Sequence, residues 1–251
     1  MKKLHRGGSP DGEPLSAGRV EYLEAARQRV RRRRLRRTAI LLAALILVTL
    51  FATGAVGASI ARVKDLVDTV HIALSPAVGW PQQTGLDNLT AVQPMSGSFV
   101  AMDEDACAVY SLGGTRLASI QSGYARPALA AGKTRFVLYN RSGNELRVES
   151  RTQNLYSKTL ENSIYLCAMS DTGTLAVATD SADSTARLTV YTPTMSEQLH
   201  WDMTSAQGTP VRMAFAADSR RLAVAAVTSS AGQLQANLFV LSLAQGDPVQ
   251  L

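Results

Sequence analysis

Three segments of this chain repeat one local pattern, and this repeat restricts the possible folds more than any other feature of the sequence. Each segment is a polar turn followed by an apolar run, and the three read AAGKTRFVLY, SDTGTLAVAT and ADSRRLAVAA. Gly132, Asp171 and Asp218 each stand four residues before the first residue of the run. With a weaker copy near residue 98, the runs start 37, 39 and 47 residues apart, at Phe99, Phe136, Leu175 and Leu222.

The spacing and the composition of the repeat together indicate stacked β-sheets. Periods near forty residues are typical of four-stranded propeller blades and of helical HEAT repeats. Period-two alternation between turns rich in Gly, Asp and Ser favours strands over helices. A further strand recurs in each unit, at residues 106–110, 145–149, 187–191 and 237–241. The sequence therefore predicts an all-β fold, a β-propeller of the WD40 or YVTN kind with about four blades.

The predicted propeller is incomplete. Counting strands from Ser98 gives a partial first blade followed by residues 127–160, 164–203 and 211–251, which is fewer than four complete units. Propellers usually have about 4 to 8 blades, and an open stack exposes the apolar faces of its end sheets. We expect an open arc with an apolar flank from residues 211–227. C-terminal truncation is the preferred explanation, and closure with a partner is the alternative.

An uncharged stretch of 23 residues, 38–60, precedes the repeats. At about 1.5 Å per residue it would form a helix of about 34 Å, which is long enough to cross a membrane. Eight arginines lie within residues 27–37 and predict a cytoplasmic N-terminus by the positive-inside rule. A cleaved signal peptide, with VGA as its cleavage site, is disfavoured because the apolar run is too long. We expect a single-pass cell-membrane protein with an extracytoplasmic C-terminal domain.

The predicted organisation has four parts: a basic cytoplasmic tail (1–37), a transmembrane helix (38–60), a stem (61–79) and the repeat domain (80–251). Val63, Leu66, Val67 and Val70 form an apolar stripe on a short stem helix. Two turns are too few to support a coiled coil on their own, so the stripe by itself does not predict dimerisation.

The basic charge is confined to the tail. Residues 1–37 hold 12 Lys and Arg against 4 Asp and Glu, and the rest of the chain is slightly acidic. A nucleic-acid partner is therefore not predicted, because such binding requires basic groups spread over a folded surface. The arginines are interpreted as a topology signal, and docking to anionic lipids is the alternative.

No motif of a catalytic or cofactor site is present: G-x-S-x-G, H-E-x-x-H, C-x-x-C and a glycine-rich phosphate loop are all lacking. We therefore predict no catalytic, cofactor-binding or metal-binding residue. His200, which precedes Trp201 and Asp202, is interpreted as an outer-strand residue, since a triad also needs a nucleophile. His71 has no second ligand at metal spacing and is assigned to helix surface.

The acidic clusters lie in turns. Asp103, Glu104 and Asp105 are interpreted as a solvated loop. Asp171 and Asp218 invite a calcium or catalytic interpretation, but Asp before a strand is also what an Asx-turn requires, and we favour that assignment.

Two cysteines, Cys107 and Cys167, are the only ones in the chain. A disulfide is possible in an extracytoplasmic compartment. Nothing local in the sequence brings the two together, so we favour two small buried side chains on strands.

Residues 119–179 carry a resemblance to a known group of proteins. The motifs GYARP, FVLYNR and RVESR, with the strands LAVAT and LAVAA, resemble an uncharacterised domain-of-unknown-function family of clostridial-type bacterial proteins. The resemblance implies a short cytoplasmic N-terminus, one membrane span and an extracytoplasmic propeller. It implies no activity and no catalytic residue, and this chain stops earlier than the family pattern.

These features favour a membrane-anchored, extracytoplasmic binding or scaffold module with a protein or glycan partner. Propellers present a broad end surface and a central channel to such partners. Two alternatives stay open: an envelope enzyme whose site is drawn from several blades, and a transmembrane sensor that signals through the arginine-rich tail.

Overall fold

The structure is a computed structural model of the 251-residue chain and describes residues 65–70, 72–244 and 248–250. The predicted tail, the predicted transmembrane segment, Val63 and His71 lie outside the described residues. Within those residues, no helix has the length and apolar character needed to cross a membrane. The membrane anchor therefore stays a prediction.

The described part of the chain contains a short helix, α1 (residues 65–70 and 72–74), followed by four antiparallel sheets of four strands each, here called blades 1 to 4. Blade 1 consists of β1 (Ala91–Met95), β2 (Ser98–Met102), β3 (Ala106–Ser111) and β4 (Arg116–Gln121). Blade 2 consists of β5 (Pro127–Ala131), β6 (Arg135–Asn140), β7 (Glu145–Ser150) and β8 (Asn154–Thr159). Blade 3 consists of β9 (Ile164–Met169), β10 (Leu175–Thr179), β11 (Ala186–Tyr191) and β12 (Glu197–Met203). Blade 4 consists of β13 (Thr209–Phe215), β14 (Arg221–Ser230), β15 (Gln233–Ser242) and β16 (Pro248–Gln250).

Strands follow chain order within every blade, and each pairs with the next as a hairpin. The first strands of successive blades, β1, β5, β9 and β13, contact one another and therefore lie innermost. The LAVAT and LAVAA strands are second in their blades rather than innermost. This radial stacking of four-stranded sheets confirms the predicted propeller fold.

Alternation along β6 shows why the second strands read as continuous apolar runs. Phe136 and Leu138 pack towards blade 1, whereas Val137 and Tyr139 pack towards blade 3. Both faces of the strand are buried, so successive side chains must all be apolar. On an outer strand such as β8, one face is solvated and the burial alternates.

Three apolar clusters join the blades in sequence: blade 1 to 2, blade 2 to 3, and blade 3 to 4. Among the described residues no such cluster joins blade 4 back to blade 1. The arc is open, as predicted.

The prediction of a partial first blade is wrong, because blade 1 is complete. Its missed strands are β1, with the sequence AVQPM, and β4, with the sequence RLASIQ. Pro94 weakens the strand pattern of β1, but this strand pairs on one side only, where a missing N–H group is tolerated.

Candidate interaction surfaces

The two ends of the arc differ in how they are covered. The blade 1 flank, meaning the face of blade 1 turned away from blade 2, is covered by residues 76–90, here called the cap segment. Trp80 of this segment lies 5.7 Å from Phe99 and 5.9 Å from Tyr110 between ring centroids. Its indole N–H donates to the carbonyl of Leu112 at 3.0 Å. An aromatic side chain thus occupies the place where a preceding blade would pack.

Polar contacts hold the cap segment along its length. The backbone N–H of Gly79 donates to the carbonyl of Gly113 at 2.9 Å, and the Tyr110 hydroxyl donates to the carbonyl of Thr84 at 3.1 Å. Gly114 has a φ of 87°, and a Cβ there would lie 2.3 Å from the Gly79 carbonyl oxygen. This close approach of two backbones requires glycine at position 114.

No segment among the described residues packs over the opposite end. The blade 4 flank, meaning the face of blade 4 turned away from blade 3, carries apolar side chains across all four strands. Register places these side chains on one face: Ala214, Ala223, Ala225, Val227, Ala236, Leu238, Val240 and Val249. Leu238 is 43% exposed and Val249 61% exposed. A contiguous exposed apolar face of this kind is a candidate interaction surface.

Blade 3 shows what such a face looks like when it is covered. Ala176 and Ala178 occupy the same positions in β10 that Ala223 and Ala225 occupy in β14. Both alanines of β10 are fully buried in the cluster that joins blades 3 and 4. Those of β14 are partly exposed. The blade 4 flank is therefore built like an inter-blade face, except that the exposed Arg212 stands opposite Ala225, where Leu166 stands opposite Ala178 in blade 3.

Helix α1 lies beside the β1–β2 and β11–β12 turns and is held there by two buried arginines. Arg135, 2% exposed, begins β6, and its Nε donates to both carboxylate oxygens of Asp65 at 3.2 and 3.3 Å. Its Nη1 donates to the carbonyl of Pro193 at 2.7 Å. This side chain therefore ties the helix to blades 2 and 3 together.

Arg151, 1% exposed, follows β7 and makes the second set of contacts with the helix. Its Nη2 donates to Thr69 Oγ1 at 2.7 Å, and its Nη1 donates to the carbonyl of Ser96 at 2.9 Å. Asp68 accepts a hydrogen bond from Thr152 and lies 3.9 Å from Arg151 Nε. Burial lowers the pKa of the Arg151 guanidinium, and the carboxylates of Asp68 and Asp65 oppose this shift.

These contacts bury the polar face of α1 and leave its apolar stripe outside. The stripe consists of Leu66, Val67, Val70 and Leu74, which are 63%, 63%, 50% and 78% exposed. An amphipathic helix normally turns its apolar side to the core. Here the ion pairs set the orientation, because a buried arginine without its carboxylate would cost more than four exposed aliphatic side chains.

An open groove of about 460 Å³ runs beside the innermost strands. Gln93 of β1 lines it and bridges two blades: its Nε2 donates to the carbonyl of Leu129 at 3.2 Å, and its Oε1 accepts from the Ala131 N–H at 2.7 Å. Arg141 and Arg212 also line the groove. No group of three or more metal-ligating side chains occurs among the described residues.

A family model matches residues 78–246, about two thirds of the chain. This protein belongs to the family of unknown function DUF5711. The match begins within the cap segment and includes most of blade 4, whereas α1 lies outside it. No curated protein matches this DUF5711 chain at a significant level.

Solved propellers are similar to the DUF5711 chain at low identity. The Pan2 WD40 domain of Neurospora crassa is 10% identical with a TM-score of 0.46, over 64% of this chain and 50% of that one. Kluyveromyces lactis Hsv2p is 17% identical with a TM-score of 0.46, over 63% and 50%. The N-terminal domain of Nup159 is 12% identical with a TM-score of 0.45, over 71% and 51%. The chain spans about half the length of these proteins.

His200 lies on outer strand β12, where its Nδ1 is 2.9 Å from Glu197 Oε1. Asp202 does not contact it and is held instead by Arg187, whose Nε and Nη2 donate at 2.6 and 3.1 Å. These hydrogen bonds from Arg187 lower the pKa of the Asp202 carboxyl. The imidazole of His200 is therefore paired with Glu197, and the neighbouring Asp202 is paired with Arg187.

The acidic turns differ from one another. Asp103 is buried rather than solvated, and its carboxylate accepts from the backbone N–H groups of Ala106, Asp105 and Asp87 at 2.7, 2.9 and 3.3 Å. The hydrogen bond from Ala106 is the main cause of its lowered pKa. Glu104 is exposed, as predicted.

Asp218 forms the predicted turn and accepts from the Arg220 N–H at 2.9 Å. Asp171 instead pairs with Lys133 of the neighbouring blade at 2.9 Å. Gly132 stands at the equivalent position before β6. Glycine is required there for close packing, because a Cβ would lie 2.1 Å from the carbonyl oxygen of Ser170.

Cys107 and Cys167 are free, buried thiols in different inter-blade clusters. Burial raises the pKa of Cys107 to about 12 and also raises that of Cys167. Both thiols are therefore protonated and shielded at neutral pH, which makes them unreactive.

The sequence did not predict that Trp80 covers blade 1 or that Arg135 and Arg151 hold α1. The sequence marks Trp80 only as the first residue of the predicted repeat domain. The two arginines stand beside turns, where a charged side chain is normally solvated. The available signal was the pair of aspartates, Asp65 and Asp68, on the side of α1 opposite the stripe.

Proposed function

We propose that this protein is a membrane-anchored, extracytoplasmic binding or scaffold module that holds its partner on the blade 4 flank. The observation that carries this proposal is the contrast between Ala223, which is partly exposed, and its equivalent Ala176, which is fully buried by the next sheet. The anchor is residues 38–60, with the tail in the cytoplasm, and the arginines of residues 27–37 lie where anionic lipid head groups are found.

The partner that fits this flank is an antiparallel β-sheet presenting large aliphatic side chains. Blade 4 is itself such a partner for blade 3, since Leu222 and Val224 pack in the cluster that contains Ala176 and Ala178. Alanine on one face leaves room for leucine and valine on the other, which is how two sheets interlock at close distance. The flank of Ala223 and Ala225 offers the same room.

A tandem chain tests the partner chemistry. A second copy of residues 204–251, placed after Leu251, supplies a sheet with the Leu222 and Val224 side chains. Ala223→Asp in the first copy should then lower the melting temperature strongly, although the same change in the single-copy chain has little effect. The matched control is Ala223→Asp in the appended copy, which stays exposed. Equal tolerance of all three changes would show that the flank does not accept a sheet.

The natural partner is tested in membranes. Full-length chain and its Ala223→Asp variant are cross-linked and purified, with Val92→Asp as a control at an exposed valine of β1. A protein captured by the parent chain and by the Val92 variant, but lost from the Ala223 variant, supports binding at the blade 4 flank. Equal capture by all three excludes it.

Topology is tested by a reporter fused after Leu251. Only a reporter that requires an extracytoplasmic location should be active, because eight arginines precede the anchor. Activity of a cytoplasmic reporter in that position contradicts the proposed location. Neutral residues in place of the arginines of 31–37 should scramble the orientation.

A further inference from the structure

The exposed apolar stripe of α1 is not explained by binding at the blade 4 flank. Its orientation is imposed by Arg135 and Arg151, which hold Asp65 and Thr69 on the opposite side of the helix. Rotating the stripe inwards would break these contacts and separate two buried guanidinium groups from the carboxylate and hydroxyl groups of the helix that accept their hydrogen bonds. The stripe is therefore presented outwards by the rest of the domain.

The spacing of the stripe points to a particular kind of occupant. Val67, Val70 and Leu74 follow one another at intervals of three and four residues. This is the spacing of a seam between two helices, in which such side chains insert into a facing helix. Leu66 flanks the seam on one side.

We propose that the stripe packs against the same stripe of a second copy of this protein. The proposal rests on the membrane anchor of the proposed function. If both copies bury their stripes, roughly 800 Å² is removed from water, which is less than the 1,200 Å² or more of a stable interface between freely diffusing proteins.

The predicted membrane anchor would compensate for the small area of the stripe. The uncharged segment 38–60 ends only four residues before Asp65. Anchoring confines two copies to one plane and keeps their α1 helices at the same height. This confinement raises their effective concentration and allows a small interface to hold. The dimer should therefore require the full chain.

Single cysteines test this pairing, since Cys107 and Cys167 are buried and unreactive. Full-length chains carrying Val67→Cys, Val70→Cys or Leu74→Cys are treated in membranes with a short bismaleimide. The control is Ser230→Cys, which is exposed near the tip of the β14–β15 hairpin at the opposite end of the blades. We expect at least tenfold more covalent dimer from the stripe positions than from the control.

The distribution of cross-links has a defined meaning. Dimer at all three positions supports a parallel seam, and dimer at Val70→Cys alone supports crossed helices of two copies. A level no higher than Ser230→Cys at every stripe position overturns the proposal. If a fluorophore on Val70→Cys is instead quenched by brominated lipid, the stripe lies on the membrane surface and the pairing is likewise excluded.

Two further measurements keep the outcomes separate. Alkaline extraction of the same membranes shows whether the chain is anchored: a soluble chain overturns the proposed anchoring, whereas an anchored chain without cross-links overturns only the pairing. In membranes, the Val67→Asp/Val70→Asp change should reduce the covalent dimer formed through Leu74→Cys to the level of the Ser230→Cys control. Undiminished cross-linking of that variant would also contradict pairing through the stripe.

Discussion

The flanks of blade 1 and blade 4 are made from the same repeating unit, but the described residues cover only the first of them. The blade 1 flank meets Trp80 and the cap segment, so its apolar side chains Phe99 and Tyr110 are largely removed from water. The blade 4 flank carries Ala225 and Leu238 into solvent. A strand with apolar residues on both faces is therefore not always covered by a sheet on each side.

The comparison also shows how little chain is needed to close an end. One aromatic ring, an indole hydrogen bond and a few backbone contacts replace a whole blade at the blade 1 flank. A terminal repeat needs such an atypical cover to remain soluble. Blade 4 has none among the described residues, and this is why its flank is the candidate binding surface.

The largest expected effect is that of Ala176→Asp compared with Ala223→Asp. An unpaired carboxylate at the buried position should cost about 4 kcal/mol or more, whereas at the partly exposed position 223 the change should cost about 1 kcal/mol, mainly because Asp is disfavoured in strands. Urea denaturation of the two variants measures this difference. Equal destabilisation would mean that the blade 4 flank is covered in solution.

Removing the carboxylate of Asp65 should have the next largest effect. Asp65→Ala leaves the Arg135 guanidinium buried without the carboxylate of Asp65, which should cost about 3 kcal/mol. The double variant Asp65→Ala/Arg135→Met should recover a large part of that loss. Hydrogen exchange should show faster opening of α1 and the cap segment, with blade 4 unchanged. Uniform loss of protection in all blades would contradict a local role for this pair.

Trp80→Ala should cost about 2 kcal/mol, less than a fully buried tryptophan, because Trp80 is half exposed. It should also uncover the blade 1 flank, so that a dye for exposed apolar surface binds more strongly. Leu89→Ala, an exposed position in the same cap segment, is the matched control and should change neither signal. Unchanged dye binding by the Trp80 variant would show that the ring does not act as a cover.

The smallest expected effect concerns the carboxylate of Asp103, which accepts a hydrogen bond from the backbone N–H of Asp87 in the cap segment. Because the folded-state pKa of Asp103 is lowered, its stabilisation is present above the unfolded-state pKa and is lost as pH falls through the folded-state value. Asp103→Asn should cost about 1 kcal/mol at pH 7 and much less in strong acid. Denaturation at pH 7 and at pH 2 measures this change. A pH-independent cost would contradict the assigned role of the carboxylate.

Most strands of the blades could be predicted from the sequence, because the alternation of side chains along a strand is a local property. Phe136, Leu175 and Leu222 begin runs in β6, β10 and β14 that are buried as predicted, and the recurring third-position strands were also located. Strands β1 and β4 were missed because each carries polar residues on a solvated side. The apolar flank predicted for residues 211–227 is confirmed by β14.

The helix shows the limit of the same reasoning. The apolar stripe at Leu66, Val67 and Val70 was predicted, but no local rule states which face of a short helix meets the domain. The answer depends on Arg135 and Arg151, which stand about seventy and eighty residues further along the chain. Charge pairs over such separations leave no periodic trace in the sequence.

By itself the sequence determined the repeat period and the second and third strands of each blade, because side chains alternate along any extended chain. Only the tertiary structure decided that blade 1 is complete and capped by Trp80, and that two arginines are buried against α1. Coverage depends on which segments become neighbours in space. That adjacency follows from the packing of the whole arc and not from any single window of residues.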